Sequence, residues 1–308
     1  FAATVGIKTG FSFRFTPGAK GFMVLYPNLR GMLGVDMVLF GGSLKVDIMP
    51  YLRNSELDFM MLIKARTQDK GRLALSRQVA IRNLGKENLE EAHAKIAELT
   101  KAVEALDIPE VEKYLYLGKG PQLETEEAQE LEVDKDPMVL DIFNQNRELF
   151  LKDSSQRNRL RTYLRKQLLQ FQYGKKVLLE DSAWRHMVVD PYAIVHYLRI
   201  GKLGVIREVE TAKGLVGISR HSGFSFYKGK LVEGEIVLFR SPFLHDKEAR
   251  KLELGFSCKA SRKYYEKNRK FFVGLMIFSL WDMTPEGMSG ADFDGDQCII
   301  SWSFNIVT

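Results

Sequence analysis

Gly290-Ala291-Asp292-Phe293-Asp294-Gly295-Asp296-Gln297-Cys298-Ile299-Ile300-Ser301-Trp302 places three carboxylates at alternate positions and an apolar run directly after them. Like charges this close repel one another, so their crowding needs a cause. A plain Asp-Gly turn between strands needs one aspartate rather than three. A calcium loop needs glycine at its sixth position and glutamate at its twelfth. Counted from Asp292, Gly295 is fourth and Ser303 is twelfth, and no helical pattern flanks the stretch. In an extended segment, side chains at i, i+2 and i+4 leave the backbone on one side. Gly295 then lets the chain turn so that Asp292, Asp294 and Asp296 converge on one cation. Hard carboxylate oxygens suit Mg²⁺, which keeps waters and shares its shell with substrate phosphates. The stretch reads as a metal cradle for phosphoryl transfer.

Working outward, the run after the loop, QCIISWSF, reads as a strand, and so do KKVLLED, GKLGVIREV, GEIVLFR and FFVGLMIFSLW between Lys175 and the C-terminus. Residues 1–65 have the same character, with FSFRF, FMVLY and VDMVLF separated by Gly and Pro. Residues 73–172 read as helical. Asn88 predicts a cap for a helix ending near Leu106, in which Ala92, Ile96, Leu99 and Val103 recur at helical spacing. Further helices are predicted over 137–151 and 154–171. Glu124, Glu126, Glu127, Glu130, Glu132, Asp134 and Asp136, between Pro121 and Pro137, read as a solvated connector.

Two basic stretches admit two readings each. Lys152, Arg157, Arg159, Arg161, Arg165 and Lys166 form either a solvated face or a phosphate-backbone contact. Lys259, Arg262, Lys263, Tyr264, Tyr265, Lys267, Arg269 and Lys270 suit either a nucleic-acid groove or a solvated helix between strands. The methionine-rich run from Met276 to Met288 reads as core packing.

Composition sets the outer bounds. With 308 residues and 45% hydrophobic content, the chain has material for about two domains with a real core. No run approaches the roughly 18 apolar residues of a membrane span. The first residues lack the layout of a signal peptide. Cys258 and Cys298 make neither a disulfide framework nor a zinc site, so a reducing, intracellular setting is expected. A net charge of +6 is compatible with a polyanionic partner. The chain begins with Phe1 rather than Met, which reads as a core excised from a longer protein.

A family resemblance enters through ADFDGDQ, which resembles the catalytic loop of the large catalytic subunit of multisubunit RNA polymerases. Upstream, Arg240-Ser241-Pro242-Phe243-Leu244-His245 resembles the same subunit's Arg-x-Pro-x-Leu-His segment. The finer resemblance is to the cell-encoded RNA-dependent RNA polymerases of RNA silencing. Met288-Ser289-Gly290 is similar to their lead-in to the loop, and Leu231-Val232-Glu233-Gly234-Glu235 to their approach to the Arg240 strand. Arg14-Phe15-Thr16-Pro17-Gly18-Ala19-Lys20-Gly21 resembles their first-barrel segment, Leu75-Ser76-Arg77-Gln78 a helix start, and residues 183–190 the opening of their second barrel. LFGGSLKV, which carries Lys45, departs from their pattern: it lacks the Arg before Ser-x-x-Lys and is one residue short. Gly290 is shared with the silencing enzymes, whereas Gln297 is shared with the multisubunit ones.

The resemblance implies an α+β fold of two double-psi β-barrels flanking a central helical region. It divides the chain into a first barrel over 1–72, a helical connector over 73–174 and a second barrel over 175–308. It implies a template-directed RNA polymerase, most closely RNA-dependent, that adds ribonucleotides to an RNA 3′ end with two Mg²⁺, for which Mn²⁺ can substitute. Asp292, Asp294 and Asp296 are the implied metal ligands and Lys20 a further catalytic cation. Arg240, Arg14 and Lys45 are implied substrate contacts, Arg240 at the ribose hydroxyls. Nucleic-acid template, RNA product and ribonucleoside triphosphates are the implied partners, with flanking domains of a longer polymerase and no membrane. His245 is expected to shape the turn after Pro242. The alternatives are a single-chain, phage-type DNA-dependent RNA polymerase of the same superfamily and a non-catalytic nucleic-acid-binding fragment.

Overall fold

The structure, a computed structural model, describes residues 10–16, 19–38, 60–65, 73–76, 85–115, 117, 137–172, 176–179, 181–200, 221–240, 248–256, 259–280, 282–288 and 291–302. In chain order the elements are β1 (Phe11–Thr16), β2 (Ala19–Met23), α1 (Leu29–Leu33), β3 (Met60–Ala65), β4 (Leu73–Ser76), α2 (Lys86–Ala105), α3 (Ile108–Tyr114), α4 (Pro137–Gln145), α5 (Arg147–Lys152) and α6 (Ser154–Gln172). They continue with β5 (Lys176–Leu179), β6 (Ser182–Val189), α7 (Pro191–Ile200), β7 (Gly223–Tyr227), β8 (Lys230–Val232), β9 (Gly234–Arg240), β10 (Ala249–Leu254), α8 (Lys259–Lys267), β11 (Leu275–Phe278), α9 (Thr284–Gly287) and β12 (Gln297–Ser301). The described residues fall into two units, one from 1–69 and 183–302, the other from 70–182.

In the first unit, six strands close into a barrel. Neighbours follow the order β10-β9-β12-β6-β11-β7, and β7 returns to β10 through the parallel pair Leu254↔Gly223. Closure leaves no open edge on these six, and β8 attaches outside, on β7. β9 is antiparallel to both β10 and β12, while β6 and β11 run parallel. The barrel forms here because strands such as β9, β11 and β12 are buried and largely apolar on both faces. In β11, Met276 and Phe278 join one buried cluster and Leu275 and Ile277 another, as the two-residue strand period dictates. Ile236, Leu238, Leu252, Leu254, Met276, Phe278, Cys298 and Ile300 fill the inside. Each such large side chain contributes about 1.5–3 kcal/mol when fully buried. Gly223 is required by closeness, since a Cβ there would sit 2.0 Å from the Ile277 carbonyl oxygen.

One cation is built into this interior. Arg185 is 1% exposed, and its guanidinium donates to Ser225 Oγ and to the carbonyls of Trp184 and Phe226 at 2.7–2.8 Å. Ser225 Oγ passes a further hydrogen bond to the Leu275 carbonyl at 2.8 Å. The network satisfies the buried charge and pins β6 to β7 and β11.

Among the described residues, the first β zone of the same unit is a three-stranded antiparallel sheet in the order β2-β1-β3. FSFRF lies in β1, but the strand expected over FMVLY is β2 and ends at Met23. Residues 35–38 of VDMVLF are not a strand; the rest of that run, and Lys45, lie outside the described residues. The chain beyond β2 is anchored by aromatic contacts. Phe22 stacks on His186 with ring centroids 4.4 Å apart, Tyr26 stacks on Tyr264 at 5.1 Å, and Tyr264 donates its hydroxyl to the Pro27 carbonyl.

The second unit is helical around one core. Ala92, Ile96, Leu99 and Val103 are all buried on α2 as their spacing requires. The N-cap is Gly85 rather than Asn88, which lies one turn inside. The single helix predicted over 137–151 is two. Asn146 breaks it by adopting an extended conformation, and its side chain caps α5 by accepting from Leu149 N. Residues 73–76, read as the start of the helical zone and containing Leu75 and Ser76, instead form β4 and pair antiparallel with β5. Pairing across sequence overrides local propensity here.

Candidate metal centre

The carboxylate loop is built by what precedes and follows it. Met288, wholly buried, anchors the approach, and its carbonyl accepts from Ala291 N at 2.9 Å. β12 begins at Gln297, so the loop ends where the barrel resumes. The Asp296 carbonyl accepts from Met187 N at 2.9 Å, stitching the loop's last aspartate to β6. Gly295 has φ +136°, a backbone region that side chains disfavour, and this lets the chain turn between Asp294 and Asp296.

Within the loop the aspartates organise one another. Asp294 N donates to Asp292 Oδ1 at 3.1 Å, and Asp292 N donates to Asp296 Oδ2 at 3.2 Å. One ligand oxygen from each of Asp292, Asp294 and Asp296 lies within 4.8 Å of the other two. Desolvation, and then the Asp294 and Asp296 carboxylates beside it, hold the Asp292 carboxyl above its usual range. Three converging, partly exposed hard oxygens fit a divalent cation such as Mg²⁺ or Mn²⁺. The expected convergence of the triad is therefore present in the geometry.

Arg240 closes the site from the barrel side. The β9–β12 register sets it opposite Cys298, two residues beyond Asp296. It is 9% exposed and donates from Nε and Nη2 to Asp296 Oδ2, at 3.1 and 2.8 Å. Its Nη1 lies 3.6 Å from Oε2 of Glu248, a fully buried carboxylate. Glu235, on the same strand, pairs with Lys251. The other residues of the Arg-x-Pro-x-Leu-His segment, His245 included, lie outside the described residues.

The remaining sequence candidates divide. Arg14 and Lys20 are direct cross-strand partners in the β1–β2 register. Phe22, two residues beyond Lys20, stacks on His186, and Gln297 Nε2 lies 3.2 Å from His186 Nε2. A short chain of contacts thus links the Lys20 strand to the residue that follows Asp296.

In the stretch 259–270 the aromatics face inward. Tyr265 is wholly buried and donates to Asp190 Oδ1, while Tyr264 packs on Tyr26 and Tyr192. Arg262 is held by Glu233 and Glu266. On α6, Arg165 pairs with Glu104 and holds that carboxyl below its usual range; Arg161 donates to the Glu104 carbonyl. Arg161 and Arg165 in one stretch and Arg262 in the other are thus engaged in pairs within the fold. Glu248 carries no sequence signal of its own. It is singled out only by its burial beside Arg240.

Among the described residues, no helix is long and apolar enough to cross a membrane. The family model described as RNA dependent RNA polymerase matches residues 71–308. No curated protein matches the sequence. Among solved structures the chain is similar to RNA dependent RNA polymerase QDE-1 from Thielavia terrestris, with a TM-score of 0.52 and 14% sequence identity. That likeness, of fold alone, covers 100% of this chain and 33% of the other, so the chain spans about a third of that polymerase's length.

Proposed function

Because the chain belongs to the RNA dependent RNA polymerase family, we propose that it is the catalytic core of a nucleotidyltransferase that adds ribonucleotides to an RNA 3′ end on an RNA template. The observation that carries this reading is the convergence of Asp292, Asp294 and Asp296 within 4.8 Å of one another. Divalent cations held there, two Mg²⁺ in the complete reaction, would supply activation of the 3′-hydroxyl and charge stabilisation of the departing pyrophosphate.

The chain's own residues prepare that chemistry. The three aspartates provide anionic ligands on a loop fixed at both ends by the barrel. Arg240 orients Asp296 and contacts the ribose hydroxyls. Lys20, with Arg14 beside it in the sheet, neutralises charge on the nucleotide phosphates. Lys45 keeps the substrate-contact role that the resemblance implies, outside the described residues. The sheet β1–β3 would belong to the first of two double-psi barrels, in the layout 1–72, 73–174 and 175–308. The closed barrel that carries the triad would be the second. Domains beyond this chain would load template, and RNA silencing is the process in which such an enzyme would work.

The test is extension of a primed template by the purified chain with labelled ribonucleotides and Mg²⁺. The expected result is metal-dependent incorporation on RNA. Extension on DNA alone would assign the chain to the DNA-dependent branch of the superfamily. Template binding without any extension would leave a nucleic-acid-binding remnant.

A further inference from the structure

Among the described residues, two acids hold Arg240, and one of them is outside the aspartate loop. The second is Glu248, immediately before β10 and 0% exposed. Both of its carboxylate oxygens are buried and make no hydrogen bond among the described residues. A buried carboxylate loses its hydration, and a partner of opposite charge is the principal means of recovering that loss. Among the described residues its ion-pair partner is Arg240, through Nη1 at 3.6 Å. The guanidinium is a rigid plane with its donors in a fixed fork. With Nε and Nη2 on Asp296 Oδ2 and Nη1 toward Glu248, both acids share in setting its orientation and in balancing its charge.

We propose that Glu248 is a positioning residue for the aspartate site: it fixes the Arg240 guanidinium and draws part of its charge away from Asp296. The inference rests on the reading of Asp292, Asp294 and Asp296 as a metal cradle. If Arg240 belonged to Asp296 alone, its full charge would oppose a cation at the same carboxylate. Glu248 relieves that opposition while keeping Arg240 in place. A carboxylate that merely filled space beside β10 would have no such connection to metal binding. Nor would its influence depend on the identity of residue 240.

The test uses the whole chain and Mn²⁺ binding without nucleotide, followed by titration calorimetry or by the electron paramagnetic resonance signal of free Mn²⁺. Wild type, Glu248→Gln, Arg240→Ala and the double variant form a cycle. Glu248→Gln keeps the side-chain shape and is expected to weaken Mn²⁺ binding about tenfold, the scale of one unit charge acting across several ångströms of protein. In the Arg240→Ala background the same change is expected to have less than about a third of that effect, because coupled residues are non-additive. Glu248→Asp is expected to restore part of the affinity.

In polymerisation, Glu248→Gln should raise KM for ribonucleotides more than it lowers kcat. Equal effects of Glu248→Gln with and without Arg240 would reduce Glu248 to a through-space charge and overturn the proposal. Unchanged Mn²⁺ affinity would overturn it too. Wild-type protein that binds no Mn²⁺ would instead remove the metal-cradle reading, and the role of Glu248 with it.

Discussion

Arg240 and Asp296, 56 residues apart in sequence, meet through two N–H groups on one carboxylate oxygen, at 3.1 and 2.8 Å. A cation entering the aspartate loop therefore competes with a guanidinium already bound there. Arg240→Ala is expected to tighten Mn²⁺ binding without nucleotide by about tenfold, since it removes one like charge a few ångströms away. The same variant should polymerise more slowly, because Asp296 loses the guanidinium that orients it and the ribose loses its proposed contact. Arg240→Lys should retain the weaker metal affinity of wild type but not its turnover, since an ammonium cannot reproduce the fork. Mn²⁺ titration beside steady-state kinetics checks both. Looser metal binding in Arg240→Ala would sink the idea of competition.

Asp294 sits between the other two ligands, and the hydrogen bond it gives within the loop comes from its backbone N–H. Asp294→Ala keeps that backbone hydrogen bond to Asp292 while removing one carboxylate from the cradle. Metal-dependent ribonucleotide incorporation is expected to fall by at least about a hundredfold, the usual scale for losing a group that stabilises transition-state charge. Stability should change by no more than about 0.5 kcal/mol, as for a substitution outside the core. Incorporation assays with thermal melts decide it. Wild-type extension by the variant would show that the cradle lies elsewhere.

What could be read from the residues depended on how local the cause was. The triad was legible because its spacing and its glycine lie within five consecutive positions, 292–296. GEIVLFR coincides with β9 because both of its faces are covered, which leaves a continuous apolar run. Ala249–Leu254 reads as ARKLEL, half charged, and becomes a strand through its six-residue antiparallel pairing with β9. FFVGLMIFSLW looks like one long strand, yet β11 occupies only Leu275–Phe278, after a turn in which Gly274 has φ +78°. At the site, the Arg240–Asp296 contact and the burial of Glu248 exist only after the barrel closes. Tyr264 and Tyr265 look in sequence like a stacking surface for bases. Burial against Tyr26, Tyr192 and Phe224 turns them into packing.

Lys20 shares its sheet with Arg14, and Phe22 of the same strand reaches the surroundings of the triad by stacking on His186. If Lys20 stabilises charge that develops on the phosphates, its loss should be felt more in turnover than in template binding. Lys20→Ala is expected to lower kcat by about tenfold or more while changing template affinity less than about threefold. Template titration by fluorescence anisotropy beside single-turnover kinetics separates the two. Equal losses in both would mark Lys20 as a plain backbone contact. Phe22→Ala should reproduce part of the kcat loss, because the strand would lose its stack on His186.

Tyr26, Tyr264 and Tyr265 make the first unit sensitive to alkali. Burial, the largest cause, pushes the Tyr26 hydroxyl up to about 12 and raises Tyr264 and Tyr265 as well. A phenol in the unfolded chain ionises near pH 10. With the folded value raised above the unfolded one, the neutral phenol's contribution is complete below pH 10. It is lost as the pH rises from about 10 through about 12, because the unfolded chain releases protons that the folded chain retains. Melting temperature should accordingly hold steady to about pH 9 and then fall with increasing slope. Tyr26→Phe removes one of these protons and, among its hydrogen bonds, a weak one to Met32 Sδ at 3.8 Å. It should cost little at neutral pH and flatten the alkaline fall. Thermal melts of wild type and Tyr26→Phe across that range make the comparison, in which lysine titration cancels. Parallel curves above pH 10 would mean that the Tyr26 hydroxyl ionises alike in the folded and unfolded chains.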